Sequence, residues 1–90
     1  MTRNGKIARL PKNIREELNS RIENNEPGKD LVTWLNSLPE VQQLIRTEFD
    51  GKPVREQNLS EWKKGGYRDW AEWRQKQELI LKYLITMSSK

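Results

Sequence analysis

Apolar residues recur at intervals of three and four along most of this 90-residue chain. The spacing is clearest in two runs, which are Ile14, Leu18 and Ile22, then Leu31, Trp34, Leu35 and Leu38. An α-helix gathers residues with this spacing on one face, whereas a β-strand requires strict alternation of apolar and polar residues, which no stretch here shows. The pattern therefore predicts an all-α fold, a compact bundle of about five short helices.

Turn-forming residues set the ends of these helices. The segments 24–28 (NNEPG) and 50–53 (DGKP) favour turns, and Pro39 can end one helix and open the next. Gly65 or Gly66 is expected to close the fourth helix in the left-handed conformation. We therefore expect helices at residues 11–24, 29–38, 40–49, 54–64 and 68–87. They form one domain, residues 11–87, between a flexible basic arm at 1–10 and a frayed C-terminus at 88–90.

Tryptophan is expected to supply much of the core. Apolar residues make up only 33% of the sequence, but it contains 4 tryptophans, each able to bury on the order of 200 Å². On the fifth helix the predicted apolar stripe consists of Trp70, Trp73, Ile80, Leu81 and Leu84.

The residue types of common catalytic and metal sites are missing. The sequence has no histidine and no cysteine, which removes the usual acid–base group at neutral pH and the thiolate ligands. The adjacent Glu16 and Glu17 diverge on a helix, Glu56 and Glu61 share a side only loosely, and no glycine-rich phosphate loop is present. We therefore predict that the protein is not an enzyme and binds no metal, cofactor or small-molecule substrate.

No segment is predicted to enter a membrane. The longest apolar run, around residues 79–81, is broken by Lys82 and is far shorter than the roughly 20 residues that span a bilayer. The first residues, MTRNGKIARLP, contain no apolar stretch typical of a secretory signal. A cytoplasmic location without a membrane partner is the expectation.

The excess of basic residues indicates a polyanionic partner. Lys and Arg number 17 against 13 Asp and Glu, which gives a net charge of +4. The sign is positive over residues 1–24, negative over 25–50 and positive again over 51–76. Phosphate contacts release condensed counterions, so this balance suits a nucleic acid. A highly charged domain without such a partner is the alternative.

The segment 54–66 (VREQNLSEWKKGG) combines apolar and polar positions in an informative way. Leu59 and Trp62 share one face of the predicted helix, Val54 precedes them, and the opposite face is entirely polar. The segment resembles the recognition-helix half of a helix-turn-helix motif, and the chain is similar to small helix-turn-helix proteins of phages and mobile elements. The resemblance implies a helix-turn-helix-like unit in a sequence-specific DNA-binding protein, a transcriptional regulator that reads the major groove with helix 55–64.

The resemblance also implies roles for single residues. Base contacts are implied for Glu56, Gln57, Ser60 and Glu61, and phosphate contacts for Arg55, Lys63, Lys64 and Arg68. Glutamine can bond adenine in two places, glutamate can accept from cytosine, and cations neutralise phosphates. The partner is then double-stranded DNA. Arg3, Lys6 and Arg9 are candidates for an arm in the minor groove, the alternative being a basic tail without that role.

The sequence departs from the motif in the turn before this helix. The segment DGKP is longer than the usual turn, and the helix before it offers no small residue at the packing position. In the alternative pairing, the helix at 40–49 is an insertion and the helix that ends at Leu38 is the first of the pair.

The C-terminal third offers two further surfaces. A group similar to the stacking platforms for unpaired bases contains Tyr67, Arg68, Trp70 and Trp73, although aromatic residues at this spacing more often form a core face. A candidate homodimer surface contains Leu79, Ile80, Tyr83 and Leu84, which point in more directions than a small monomer can cover. The aromatic residues and the acidic middle segment favour an alternative function, a helical protein–protein interaction module such as a phage-encoded inhibitor or adaptor.

Overall fold

The computed structural model describes residues 5–88, and every regular element in that range is helical. A 3₁₀ turn at Ile7–Arg9 precedes five α-helices. Their bounds are α1 Lys12–Glu23, α2 Gly28–Ser37, α3 Pro39–Glu48, α4 Glu56–Lys64 and α5 Gly66–Ser88. The predicted all-α class is confirmed, and each helix begins and ends within two residues of its expected position.

The two predicted turns are sharp because their residues take positive φ angles. Asn25 has a φ of 62°, Asp50 of 52° and Gly51 of 77°. Asn and Asp tolerate this region better than other residues with a Cβ, and glycine enters it freely. The expectation that Gly65 or Gly66 closes α4 in the left-handed conformation is wrong. Gly65 has a φ of −124°, and α5 begins at the next residue.

The core is aliphatic rather than aromatic. Its most deeply buried side chains come from the segments before α5 and are Ile7, Leu18, Leu31, Leu35, Val41 and Val54. Of the tryptophans, Trp62 is buried, Trp34 and Trp70 are half-buried, and Trp73 is 58% exposed. The expectation that tryptophan supplies much of the core is therefore wrong, because branched aliphatic residues fill most of the space between the short helices α1 to α4.

The segment at residues 5–10 packs on the domain, in contrast to the expected flexible arm. Ile7 and Leu10 are 1% and 3% exposed and belong to the core. Lys6 Nζ donates a 3.0 Å hydrogen bond to the carbonyl of Pro53, and Arg9 Nη2 lies 2.6 Å from Glu48 Oε1. Two apolar residues three positions apart thus hold this basic segment in place. Arg3 lies outside the described residues.

Helix α5 extends beyond the rest of the domain. Its start packs against α4, and Arg74 Nη1 donates to Glu23 Oε1 of α1 at 2.8 Å. Every residue from Gln75 to Met87 is exposed, and the longest dimension of the molecule is 57 Å, against 27 and 22 Å for the others.

The apolar stripe predicted on α5 is not buried. Four of its five members are 54–60% exposed, namely Trp73, Ile80, Leu81 and Leu84. A helix of 23 residues is about 34 Å long, whereas helices of 9–12 residues span only about 14–18 Å, so α1 to α4 cannot cover its second half.

Candidate nucleic-acid interface

One asparagine fixes the entry to α4. The side-chain amide of Asn36, near the end of α2, bonds both backbone groups of Val54. Its Nδ2 donates to the Val54 carbonyl and its Oδ1 accepts from the Val54 N–H, each at 2.9 Å. At the helix start, Asn58 Oδ1 accepts a 2.9 Å bond from the backbone N–H of Arg55, one of the donors that a helix leaves unpaired. These bonds determine where α4 begins.

Three apolar residues hold the inner face of α4, as the sequence predicts. Val54 and Leu59 are 2% exposed and Trp62 is 8% exposed. The indole N–H of Trp62 donates to Asn19 Oδ1 of α1 at 2.8 Å, and both residues are buried. The bond satisfies two polar groups that would otherwise be costly to bury. The prediction that Leu59 and Trp62 share the inner face of the helix is confirmed, and Val54, just before the helix, is buried with them.

Glycines on both neighbouring helices let α4 approach closely. A Cβ at Gly66, the first residue of α5, would lie 2.0 Å from Trp62 Cζ3. A Cβ at Gly28, the first residue of α2, would lie 3.3 Å from Leu59 Cδ2. Because α4 is packed this tightly on two sides, the orientation of its outer face is set by the domain.

The outer face of α4 carries the predicted contact residues in exposed positions. Those predicted to contact bases are Glu56, Gln57, Ser60 and Glu61, and all four are exposed. Arg55 lies at the start of the helix, with Lys63 and Lys64 in its last turn. Arg68 is exposed in the first turn of α5, where its Nε lies 3.6 Å from Glu72 Oε1. Six of the eight residues therefore lie on α4, Arg55 immediately precedes it, and Arg68 follows on the next helix.

A group of cations flanks the start of α4. Burial, and then the nearby charges of Arg55 and Lys52, lower the pKa of the Lys6 ammonium group. The bond from Lys6 to the Pro53 carbonyl keeps this ammonium group beside the turn that leads into the helix. The positive end of the helix dipole adds to the same field. The sequence does not predict Lys52 as a member of this group, because Lys52 lies in a turn, and it predicts Lys6 in an arm.

The helix packing bears on the alternative pairing suggested by the sequence. Helix α2 packs against both α3 and α4, and α4 also packs against α5. A pair formed by α2 and α4, with α3 inserted between them, therefore has the direct contact that this alternative requires. The helix-turn-helix likeness itself stays a prediction.

The aromatic residues after α4 differ in exposure. The ring centroids of Tyr67 and Trp70 lie 5.9 Å apart with the planes tilted by 32°, and Tyr67 packs against the core. The Arg74 guanidinium lies 5.3 Å from the Trp70 ring centroid. Trp73 is more than half exposed, so the expectation of a buried face is wrong for this residue. A role in base stacking stays a prediction.

Other kinds of site have little support in the described part of the chain. Within residues 5–88, no three carboxylate side chains gather in a way that could hold a metal ion. Among the helices described, none combines the length and the apolar character needed to cross a membrane. Comparisons with protein-family models, curated proteins and solved structures found no match for the chain. The outer face of α4 is thus the basis for a functional proposal.

Proposed function

We propose that the protein binds double-stranded DNA through the outer face of α4. The proposal is carried by one observation: the inner face of this helix is fixed by Val54, Leu59 and Trp62, while its polar outer face is exposed. A helix of 9 residues is about 14 Å long, and the major groove of DNA, about 12 Å wide, admits an α-helix. Tight packing on two sides would present this helix with little loss of conformational freedom on binding.

The side chains on this face have the chemistry that base reading requires. Gln57 can donate to and accept from adenine, and Ser60 can bond either kind of group. Glu56 and Glu61 can accept from the amino group of cytosine, while at other bases they would add negative charge beside the phosphates. These two glutamates therefore favour selective over non-selective binding.

Cations near both ends of α4 are suited to the phosphates that border the groove. Lys52 and Arg55 flank its start, and Lys63 and Lys64 form its end. Lys6 joins the first group, since it is held beside Pro53, and Arg9 is paired with Glu48, so neither residue takes the role of a minor-groove arm in this proposal. In this proposal the protein is a cytoplasmic, sequence-specific transcriptional regulator of the phage or mobile-element type.

Fluorescence anisotropy with a mixed pool of short labelled duplexes tests the proposal. With about five phosphate contacts, the slope of roughly −0.9 per contact predicts that affinity falls several hundred-fold between about 50 and 200 mM salt. Absence of binding at the lower salt concentration would contradict the proposal.

Single substitutions then locate the surface. Gln57→Ala should relax base preference, whereas Lys64→Ala should weaken binding to all sequences and reduce the salt slope by about one. Lys82→Ala is the matched control, because Lys82 is an exposed lysine far along α5 and should leave both properties unchanged. Equal effects of the two lysine substitutions would argue against α4 as the contact surface.

A helical protein-binding module, such as a phage-encoded inhibitor or adaptor, is the second candidate. The exposed side chain of Trp73 favours it, since tryptophan is enriched among the residues that dominate protein interfaces. An apolar interface of this kind changes little with salt, whereas phosphate-dominated binding weakens steeply. The salt titration therefore separates the two functions.

A further inference from the structure

The second half of α5 exposes a large apolar surface. Seven apolar side chains between residues 79 and 87 are each 54–65% exposed. At about 100 Å² each, they present on the order of 700 Å² per molecule. The largest apolar patch of a typical monomer is about 300–600 Å², and larger ones mark interaction sites. A surface of this size is typical of an interaction site.

One stripe of this helix carries no charge along its length. Its members are Trp73, Gln77, Ile80, Leu84 and Met87, which follow one another at intervals of four, three, four and three. These are the a and d positions of a heptad repeat, which face the partner helix in a coiled coil. We call this row the heptad stripe. The row on one side of it carries Glu72 and Lys76, and the row on the other side carries Arg74 and Glu78.

The domain leaves the heptad stripe accessible. Trp73 lies at the level of the domain and is still 58% exposed, and Ile80, Leu84 and Met87 are 54–59% exposed further along. The contacts of α5 with the domain lie to one side of the stripe, through Tyr67 to the core and through Arg74, in the neighbouring row, to α1. A second helix can therefore lie along the stripe without displacing α1 or α4.

We propose that two copies of the chain pair in parallel through the heptad stripe of α5. In such a pair, six apolar side chains face the partner. At about 100 Å² each they would bury on the order of 600 Å² per copy, at the lower end of the roughly 600–1,000 Å² per partner of a standard stable interface. They are Trp73, Ile80, Leu84 and Met87 of the stripe with the flanking Leu81 and Tyr83. In a twofold pair the same stripe meets itself, so no second kind of surface is needed.

Two polar features favour a parallel, in-register pair. Gln77 would meet its own counterpart, and an amide side chain, which both donates and accepts, can bond a copy of itself. A polar residue at a single a position also fixes the register of a coiled coil. Asp69 precedes the stripe at a g position and Arg74 occupies the following e position, and these positions face each other across a parallel pair with opposite charges. The Nη1 group of Arg74 donates to Glu23 of the same chain, so its attraction to Asp69 of the second copy would be added to an existing ion pair.

The pairing is measured without DNA, so its test is independent of the test of the proposed function. Were both correct, the two α4 helices would lie at the same end of the dimer, an arrangement in which paired recognition helices read two half-sites.

Sedimentation of the full chain at about 50 µM, well above the dissociation constant expected for a stable dimer, tests the proposal. We expect a mass twice the 10.7 kDa of one chain. Ile80→Glu and Leu84→Glu should each raise the dimer dissociation constant at least about a hundredfold, because two unpaired carboxylates would enter the buried seam. Ile85→Glu, on another face of α5 and 59% exposed against 54% for Ile80, should leave the dimer intact.

Each contrary result is informative. A monomeric mass for the unchanged chain would overturn the pairing and leave the surface to a different partner protein. Loss of the dimer in Ile85→Glu, or its survival in both Ile80→Glu and Leu84→Glu, would overturn the assignment to the heptad stripe. Circular dichroism of each variant checks that the domain is folded. We expect it to be, because the substituted positions lie outside the core.

Cysteine substitution tests the parallel register. The chain has no cysteine, so Ile80→Cys introduces a single thiol. In a parallel pair this thiol faces its own counterpart and should form a disulfide-linked dimer under mild oxidation, whereas the thiol of Ile85→Cys should remain unlinked. A dimer in which Ile80→Cys fails to crosslink would overturn the parallel arrangement.

Discussion

Replacing Gly66 with alanine tests whether α4 is fixed by close packing against α5. The added Cβ would lie 2.0 Å from Trp62 Cζ3 and 2.4 Å from two further ring atoms, while ordinary contact begins at 3.4 Å. The ring would therefore have to retreat by about 1.4 Å against the dense packing of the core. It is restrained in doing so by the 2.8 Å bond to buried Asn19.

The expected loss of stability follows from two opposing terms. Overpacking of this kind costs about 1–3 kcal/mol and occasionally more, and a contact as short as this one lies at the upper end. Replacing glycine with alanine in a helix raises the free energy of unfolding by up to about 1 kcal/mol, because alanine has the higher helix propensity. We expect a net loss of about 2–3 kcal/mol, which lowers the Tm of a domain this size by about 10–20 °C.

Urea denaturation followed by circular dichroism measures the change in the free energy of unfolding. Gly5→Ala is the matched control, because nothing lies within 4 Å of the added Cβ, and it should change stability by less than about 0.5 kcal/mol. Combining Gly66→Ala with Trp62→Leu, which removes the ring, should cost less than the sum of the two single changes. If Gly66→Ala proves as stable as the control, close packing against α5 does not fix α4.

Three further substitutions test other contacts by the same denaturation measurement. Asn19→Ala should destabilise the domain by about 1–3 kcal/mol, since it leaves the buried N–H of Trp62 unpaired. A change under about 0.5 kcal/mol would show that this bond contributes little. Asn36→Ala removes both side-chain bonds to Val54 and should lower the free energy of unfolding by about 1–3 kcal/mol. Unchanged stability would contradict this and would mean that water satisfies both backbone groups of Val54. Arg9→Ala breaks an ion pair that is about half exposed and should lower the free energy of unfolding by less than about 1 kcal/mol. A larger loss would mean that the aliphatic stem of Arg9 packs on the domain.

The helices and the inner face of α4 could be predicted because the relevant signals are local. Intervals of three and four define a helix face, and proline, glycine and asparagine define its ends, so the bounds agree with the structure within two residues. Val54, Leu59 and Trp62 are buried as their spacing predicts. The same periodicity placed the polar residues of α4 on the opposite, exposed face.

The polar contacts that position α4 could not be predicted in the same way. Asn19 follows Leu18 and Asn36 follows Leu35, so each stands beside a core position on its helix, but nothing local indicates its distant partner. Those partners are 43 and 18 residues away in sequence. The grouping of Lys6 with Lys52 and Arg55 likewise depends on the packing of Ile7 and Leu10.

The helical class, the approximate bounds of the helices and the side chains that share a face could be predicted from the residues alone, because they follow from the geometry of a single helix. Which of those faces is covered depends on how the helices pack. The apolar residues of α1 and of the second half of α5 both occur in helical segments, yet those of α1 are buried and those of α5 are exposed. The difference comes from length, because burial needs a neighbour alongside and the four shorter helices end before α5 does.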